Sequence, residues 1–222
     1  NHATLGDSGK ATGAFGSEFS VPYYAFLDAG LGVDIASPRG GRVPVEPNSM
    51  GWPLATNADR RFKRDSTAMR KLEQSLRVGD LDPSRYDVVF LVGGWGAAYD
   101  LGQSPELGEF MTRANANDAV IGGVCHGPLG LLQATDSDGR PLVEGRRLTA
   151  VSDVQVQQLG IEITPLHPET ELRELGALYE KDTAFRDFFA THVVVDGNLV
   201  TGQNQNSGAE TAHRMMEILA AR

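Results

Sequence analysis

A chain of 222 residues, 41% hydrophobic and 22% charged, has the composition of an ordinary soluble globular protein and the length of one α/β domain. Its net charge of -9 and pI near 5.0 argue against a nucleic-acid partner, which calls for a basic face. One cysteine excludes an internal disulfide and suits a reducing, cytoplasmic setting, and no run approaches the ~18 unbroken apolar residues of a membrane span.

The chain begins Asn1-His2-Ala3, with no methionine and no signal-peptide pattern. That reads as a trimmed start, from which a targeting segment could have been lost. Asn1 to Gly16 is polar, broken by Gly6, Gly9 and Gly13, and reads as a loop with no strand feeding it. Ser17 to Ala29 places Phe19, Tyr23, Phe26 and Leu27 at helical spacing and stops at Gly30. Ser17 is the expected cap, with Glu18 in the first turn. On local sequence alone, Glu18 is equally an acid that complements the helix dipole and a functional carboxyl group.

Val33 to Ser37 predicts a short strand, stopped by Pro38 and Gly40-Gly41, and prolines keep the next stretch irregular. Asp59 to Leu76 predicts one charged helix with Phe62, Met69, Leu72 and Leu76 as its inner stripe. Val88 to Val92 is a continuous apolar run of the kind buried on both faces of a parallel sheet. Gly93-Gly94-Trp95-Gly96 follows at its carboxyl end, where glycines let backbone N–H groups approach a ligand. Neither the phosphate-loop nor the dinucleotide pattern is matched. Pro105 to Asn117 predicts a helix.

Ala119 to Leu132 then reads as a buried strand, a sharp turn and a helix, with the sole cysteine at the turn. Gly123-Val124-Cys125-His126-Gly127 is the thiol version of the G-x-S-x-G nucleophile elbow. Small residues are needed on either side, because a side chain at Gly123 or Gly127 would meet the neighbouring strand or the helix start. Burial as a small hydrophobe is the ordinary fate of a lone cysteine. The glycine frame and the adjacent histidine favour a nucleophile, with the positive helix end expected to stabilise the thiolate. The N–H of His126 is a natural oxyanion donor, and that of Gly94 is the second candidate.

Downstream, Arg147 to Val151 predicts a strand, Asp153 to Leu159 a short helix, and Pro165 to Leu175 a second helix starting near Pro168. Ala177 to Glu180 is a weak strand. His192 to Val195 and Leu199 to Gly202 read as a hairpin turning on Asp196-Gly197. Asn206 or Ser207 caps the last helix. Strands alternating with helices imply a mostly parallel sheet covered on both faces, with a site at the carboxyl strand ends. The other histidines carry no supporting motif, and no His/Cys/Asp/Glu group has metal spacing.

These residues resemble the ThiJ/PfpI superfamily, which has the class I glutamine amidotransferase-like fold. The likeness is closest to the branch of glutathione-independent glyoxalases, protein deglycases and heat-shock chaperones. It rests on Thr12-Gly13 with Glu18 and Pro22-Tyr23, on Ala29-Gly30 through Pro38, and on Val92-Gly93-Gly94. It rests further on Val124-Cys125-His126-Gly127-Pro128 and on His192 through Asn204. It implies a flavodoxin-like three-layer sandwich, with residues 1–222 as a single domain. It implies Cys125 as nucleophile, His126 as its ring partner and Glu18 as an acid aimed at the sulfur. Gly94 and His126 would supply oxyanion amides. The implied reaction needs no cofactor and no metal and acts on a small aldehyde or ketoaldehyde, methylglyoxal going to lactate. Relatives often form dimers, so a homodimer is expected.

Three departures stand out. The family's opening strand has no counterpart in these residues. Trp95, a pocket residue, replaces the usual histidine of the G-G-H-G loop. Val156 stands where an acid orients the histidine, with Asp153 the candidate substitute. The competing readings are a stress-response chaperone or redox sensor with an oxidisable Cys125, and another thiol hydrolase or hydratase on this scaffold.

Overall fold

The computed structural model describes residues 1–160, 164–183 and 190–222. Helix α1 is Gly16–Asp28. Ser17 does not cap it; Phe15 occupies that place, and the Gly16 N–H is satisfied by Ser49 Oγ at 2.9 Å. A tertiary partner has taken the role that the local sequence suggested for Ser17. Glu18 sits in the first turn as expected.

Strand β1 is only Ala36–Ser37. The single charged helix predicted over 59–76 is two, α2 (Asn57–Phe62) and α3 (Ser66–Glu73). The break comes at Asp65, whose carboxylate accepts from the Thr67 and Ala68 N–H groups and so starts a new helix instead of continuing the old one. Leu76 leaves the inner stripe for β2 (Leu76–Arg77), which pairs parallel with β1. Phe62 keeps its place, fully buried against the Phe19 ring at 4.4 Å.

The main sheet contains β3 (Val88–Leu91), β4 (Val120–Val124), β7 (Val193–Asp196) and β8 (Leu199–Gly202), in the order β3-β4-β8-β7. The first three neighbours run parallel, and β7 joins β8 antiparallel. Asp196 pairs with Leu199, so the two turn residues are Gly197 and Asn198, one position later than predicted. A further parallel pair is β5 (Arg147–Leu148) with β6 (Leu178–Tyr179).

The two faces of β4 and β8 fill separate cores, as the two-residue period of a strand requires. Val120 and Val200 pack with Phe26 of α1 and with Ala212 and Met215 of the last helix, α8 (Gly208–Ala220). Ile121 and Leu199 pack with Leu107, Phe110 and Met111 of α5 (Pro105–Ala116), the next helix after the short α4 (Ala97–Asp100). Helices therefore cover both faces, the expected α/β sandwich. Val88, Val89 and Phe90 are only half-buried, contrary to the expectation for β3. A cavity of about 210 Å³, lined by residues of β1 and β3, separates the main sheet from the β1–β2 pair. Among the described residues no helix is long and apolar enough to cross a membrane.

Candidate active site

Strand β4 delivers Cys125 at the carboxyl edge of the sheet with φ 58°, a left-handed conformation rare outside glycine. The surroundings enforce it. The Cys125 N–H donates to Gly202 O at 3.1 Å, and its carbonyl accepts from the Val151 N–H at 3.0 Å. A Cβ on Gly127 would lie 2.1 Å from Leu91 O, and one on Gly123 would lie 2.8 Å from the same atom. The elbow and its glycine frame are as the sequence predicts.

The helix after the elbow is not. Gly127–Leu131 is a five-residue 3₁₀ segment, entered through Pro128. So short a segment sums little dipole, and the thiol receives correspondingly little stabilisation from it.

Glu18 reaches the thiol because the chain ahead of α1 is clipped to the glycine loop after β3. The Phe15 N–H donates to Gly93 O, and the Gly96 N–H donates to Gly13 O, each at 3.2 Å. Gly94 adopts φ 99°, and a Cβ there would lie 2.4 Å from Phe15 N, so only glycine permits the clip. The contribution of Gly13 and Phe15 is made by backbone atoms, which side-chain patterns do not report.

Glu18 is almost fully buried and hydrogen-bonds Cys125. Burial pushes its carboxyl pKa from 4.5 up to about 8, against the smaller opposing effect of the thiol bond. Burial also pushes the Cys125 thiol well above its ordinary value, and the nearby Glu18 charge adds to this. The N–H groups of Gly94 and His126 donate toward the sulfur and pull the other way, but they are outweighed. The expectation of a resting thiolate is therefore corrected: at neutral pH this site holds a thiol beside a carboxylic acid.

His126 is completely buried, with Nδ1 3.3 Å from Cys125 Sγ. Burial, and then the charge of His167, depress its pKa to about 3, so the ring is neutral. Trp95 packs against the Cys125 cluster with its ring 4.8 Å from that of His126. Val156, on α6 (Asp153–Gln158), is buried in the same cluster. The structure thus brings together Cys125, His126, Glu18, Gly94 and Trp95.

It does not bring Asp153 to His126. Asp153 accepts from Thr170 Oγ1 at 2.8 Å and lies 3.8 Å from His167 Nδ1, while His126 Nε2 has no hydrogen-bond partner. The reason is the cap: Ser152 and Gln155 close a capping box that fixes α6 with Val156 facing the thiol cluster and Asp153 turned to α7 (Pro168–Glu174). The remaining histidines lie apart from the thiol: His2 stacks on Tyr99, His192 faces Glu180, and His213 is exposed on α8. Among the described residues no group of three or more His, Cys, Asp or Glu side chains is arranged to hold a metal. A sulfur nucleophile, a proton-carrying carboxyl group and two convergent N–H donors can together add a thiol across a carbonyl and hold the resulting oxygen.

Residues 11–218 match the pattern described as the DJ-1/PfpI family. The chain is 28% identical to Glyoxalase 3 of Candida albicans, over 98% of this chain and 93% of that protein. It is 29% identical to Glutathione-independent glyoxalase HSP31 of Saccharomyces cerevisiae, over 95% of this chain and 91% of the relative. The crystal structure of glyoxalase III from Candida albicans superposes with a TM-score of 0.86 at 26% identity, covering 98% and 92% of the two chains. The Rapid Encystment Protein 24 kDa of Francisella tularensis gives a TM-score of 0.91 at 26% identity, covering 98% and 95%.

Proposed function

The chain belongs to the DJ-1/PfpI family, and from that premise we propose that it is a cysteine enzyme acting on small reactive carbonyls, a glutathione-independent glyoxalase that converts methylglyoxal into lactate. The observation that carries this reading is the convergence of the Glu18 carboxyl group and the Gly94 and His126 N–H groups on one sulfur. The names of the two fungal relatives support the substrate class.

The sulfur of Cys125 adds to the aldehyde carbon. A C–S bond forms, the C=O π pair moves to oxygen, and the thiol proton passes through Glu18 to that oxygen. The two N–H groups hold the oxygen while it carries charge. Glu18, ionised in the reactive form and again a carboxylate once it has passed the thiol proton on, removes the hydrogen on the former aldehyde carbon; the C–H pair forms an enediolate as the neighbouring C=O pair moves to its oxygen, and Glu18 then returns the proton to the neighbouring carbon while the hydroxyl proton of the first carbon passes to the second oxygen. The first carbon is oxidised to a thioester and the second is reduced to an alcohol, so no external electron acceptor is involved. Water cleaves the thioester, releasing lactate and the thiol. His126, neutral at working pH, serves as hydrogen-bond partner to the sulfur and not as the acid.

The burial and raised pKa of Cys125 weigh against the redox-sensor reading, since oxidation favours exposed thiolates. Lactate formation from methylglyoxal by the wild type and by Cys125→Ala tests the proposal. Turnover is expected only in the wild type, and equal rates would remove the enzyme reading.

A further inference from the structure

Asp59 is completely buried and takes part in no step of the proposed reaction. Its two oxygens serve different helices. Oδ2 accepts from the Thr56 N–H at 2.7 Å and from Thr56 Oγ1 at 2.8 Å, which closes the capping box of α2. Oδ1 crosses to α1 and accepts from Ser20 Oγ at 2.6 Å. Ser20 is completely buried as well. Burying a carboxylate is costly, and a helix cap does not require it.

The geometry of α1 gives the reason. At about 100° per residue, Gly16 and Ser20 share one face of the helix, and Glu18 projects from the opposite one. The first face is tied twice to the segment 49–59. The Gly16 N–H donates to Ser49 Oγ at 2.9 Å, and Ser20 Oγ donates to Asp59 Oδ1. The fit behind the helix is close. A Cβ on Gly16 would lie 2.4 Å from Met50 Cγ, 3.1 Å from Ser49 Oγ and 3.2 Å from Asp59 Oδ1. The opposite face brings Glu18 into its hydrogen bond with Cys125. The bond from the Phe15 N–H to Gly93 O fixes where the helix begins, but one point does not fix its rotation about its own axis. A second tie at Ser20, one turn further on, does.

We propose that Asp59 is a positioning residue for the reaction: through Ser20 it fixes the rotation of α1 and so sets Glu18 on the Cys125 sulfur. The inference rests on the glyoxalase reading for what Glu18 does in turnover, but the state of the thiol can be followed without turnover. The charge of Glu18 and its hydrogen bond both raise the proton affinity of the thiol. His126, the other titratable side chain beside the sulfur, is neutral. An acid rotated away therefore leaves a thiol that ionises more easily and a shuttle that no longer reaches the substrate carbon.

Two variants separate the two oxygens of Asp59. Ser20→Ala removes the tie to α1 and leaves the cap of α2. Thr56→Ala weakens the cap and leaves the tie. For each, lactate formation from methylglyoxal is measured, and modification of Cys125 by methyl methanethiosulfonate is followed by intact mass from about pH 6 to about pH 10. In Ser20→Ala, kcat is expected to fall at least about ten-fold. The rise of its modification rate with pH is expected to move down by about half a unit, about three-fold in rate on the rising limb. Thr56→Ala is expected to match the wild type in both, although urea unfolding shows it destabilised. An unmoved profile in Ser20→Ala, or an equal change in Thr56→Ala, would overturn the proposal. Faster modification at every pH with no shift would mean a loosened site and not a displaced acid, and would also overturn it. Ser49→Ala unties Gly16 on the same face and should move both rates in the same directions, which keeps the test available if Ser20→Ala does not fold. A shifted profile in Ser20→Ala with no lactate formed by the wild type would sink the glyoxalase reading and leave the role of Asp59 standing.

Discussion

Replacing Glu18 with glutamine tests the electrostatics of the site directly. The side chain keeps its shape and loses its proton. Glu18 binds its proton with a pKa of about 8 in the fold against 4.5 outside it. At about 1.4 kcal/mol per unit, this is about 5 kcal/mol of pH-dependent stability. The sign follows from the protons bound. Between pH 4.5 and 8 the folded state holds one proton that the unfolded chain has released, so stability falls as pH rises across this window. About 2.5 kcal/mol of the loss lies between pH 5 and pH 7 by the same linkage. Glu18→Gln removes this slope. The assay is urea unfolding of wild type and variant at pH 5, 6, 7 and 8, read as the difference between them, which cancels other titrating groups. The variant should gain on the wild type as pH rises. A difference independent of pH would refute a buried neutral carboxyl group, and with it the proton shuttle.

Further outcomes follow from the same geometry. The kcat/KM for methylglyoxal should rise with pH, reach half its plateau near pH 8 and level off above it, because the active form needs one negative charge on the Glu18–Cys125 pair; a profile flat from pH 6 to 9 would contradict this. Glu18→Gln should lose that limb and about 10²–10⁴ in rate. Gly93→Ala places a Cβ 2.3 Å from Glu18 Oε2 and 2.9 Å from Cys125 Cβ, so kcat should fall at least about 100-fold through misplacement of these two groups. Unimpaired turnover would show that their placement does not matter. Phe62→Ala, far from the thiol in the aromatic cluster of α1 and α2, should cost about 3–5 kcal/mol in urea unfolding. A loss under about 1 kcal/mol would mean that the cluster is not tightly packed.

The parts of the site legible in the sequence are those where geometry leaves one residue type. Gly123 and Gly127 were readable because Leu91 O allows no side chain at either place. Cys125 was readable because it sits between them. Glu18 could be assigned only through the family likeness, since the clip that brings it to the sulfur is made of backbone hydrogen bonds among Gly13, Phe15, Gly93 and Gly96. The same applies to the break at Asp65 and the loss of Ser17 as a cap. For Ser17 a tertiary partner, Ser49, took the expected capping role, and at Asp65 the carboxylate capped the next helix locally where the periodic pattern suggested a continuous one. Asp153 illustrates the converse: the family likeness made it the candidate substitute for an acid at Val156, and the Ser152–Gln155 capping box turned it to another helix.

The expectation of a thiolate failed for a reason that bears on mechanism. The Gly94 and His126 N–H donors favour the anion, and both were legible. Burial was not, and at this depth it outweighs them. Removing one proton from the Glu18–Cys125 pair near pH 8 leaves a single charge that two buried groups share. Removing a second would set two negative charges side by side in a dry site, which is why the Glu18 charge raises the proton affinity of Cys125. The reactive form is therefore a monoanion. Its charge leaves the sulfur for a carbonyl oxygen as the C–S bond forms. The Gly94 and His126 N–H groups stabilise the thiolate too weakly to ionise it at rest, yet they adjoin the place to which that charge moves. Such an arrangement favours the adduct over the free thiolate, and a buried, protonated nucleophile is consistent with catalysis rather than evidence against it.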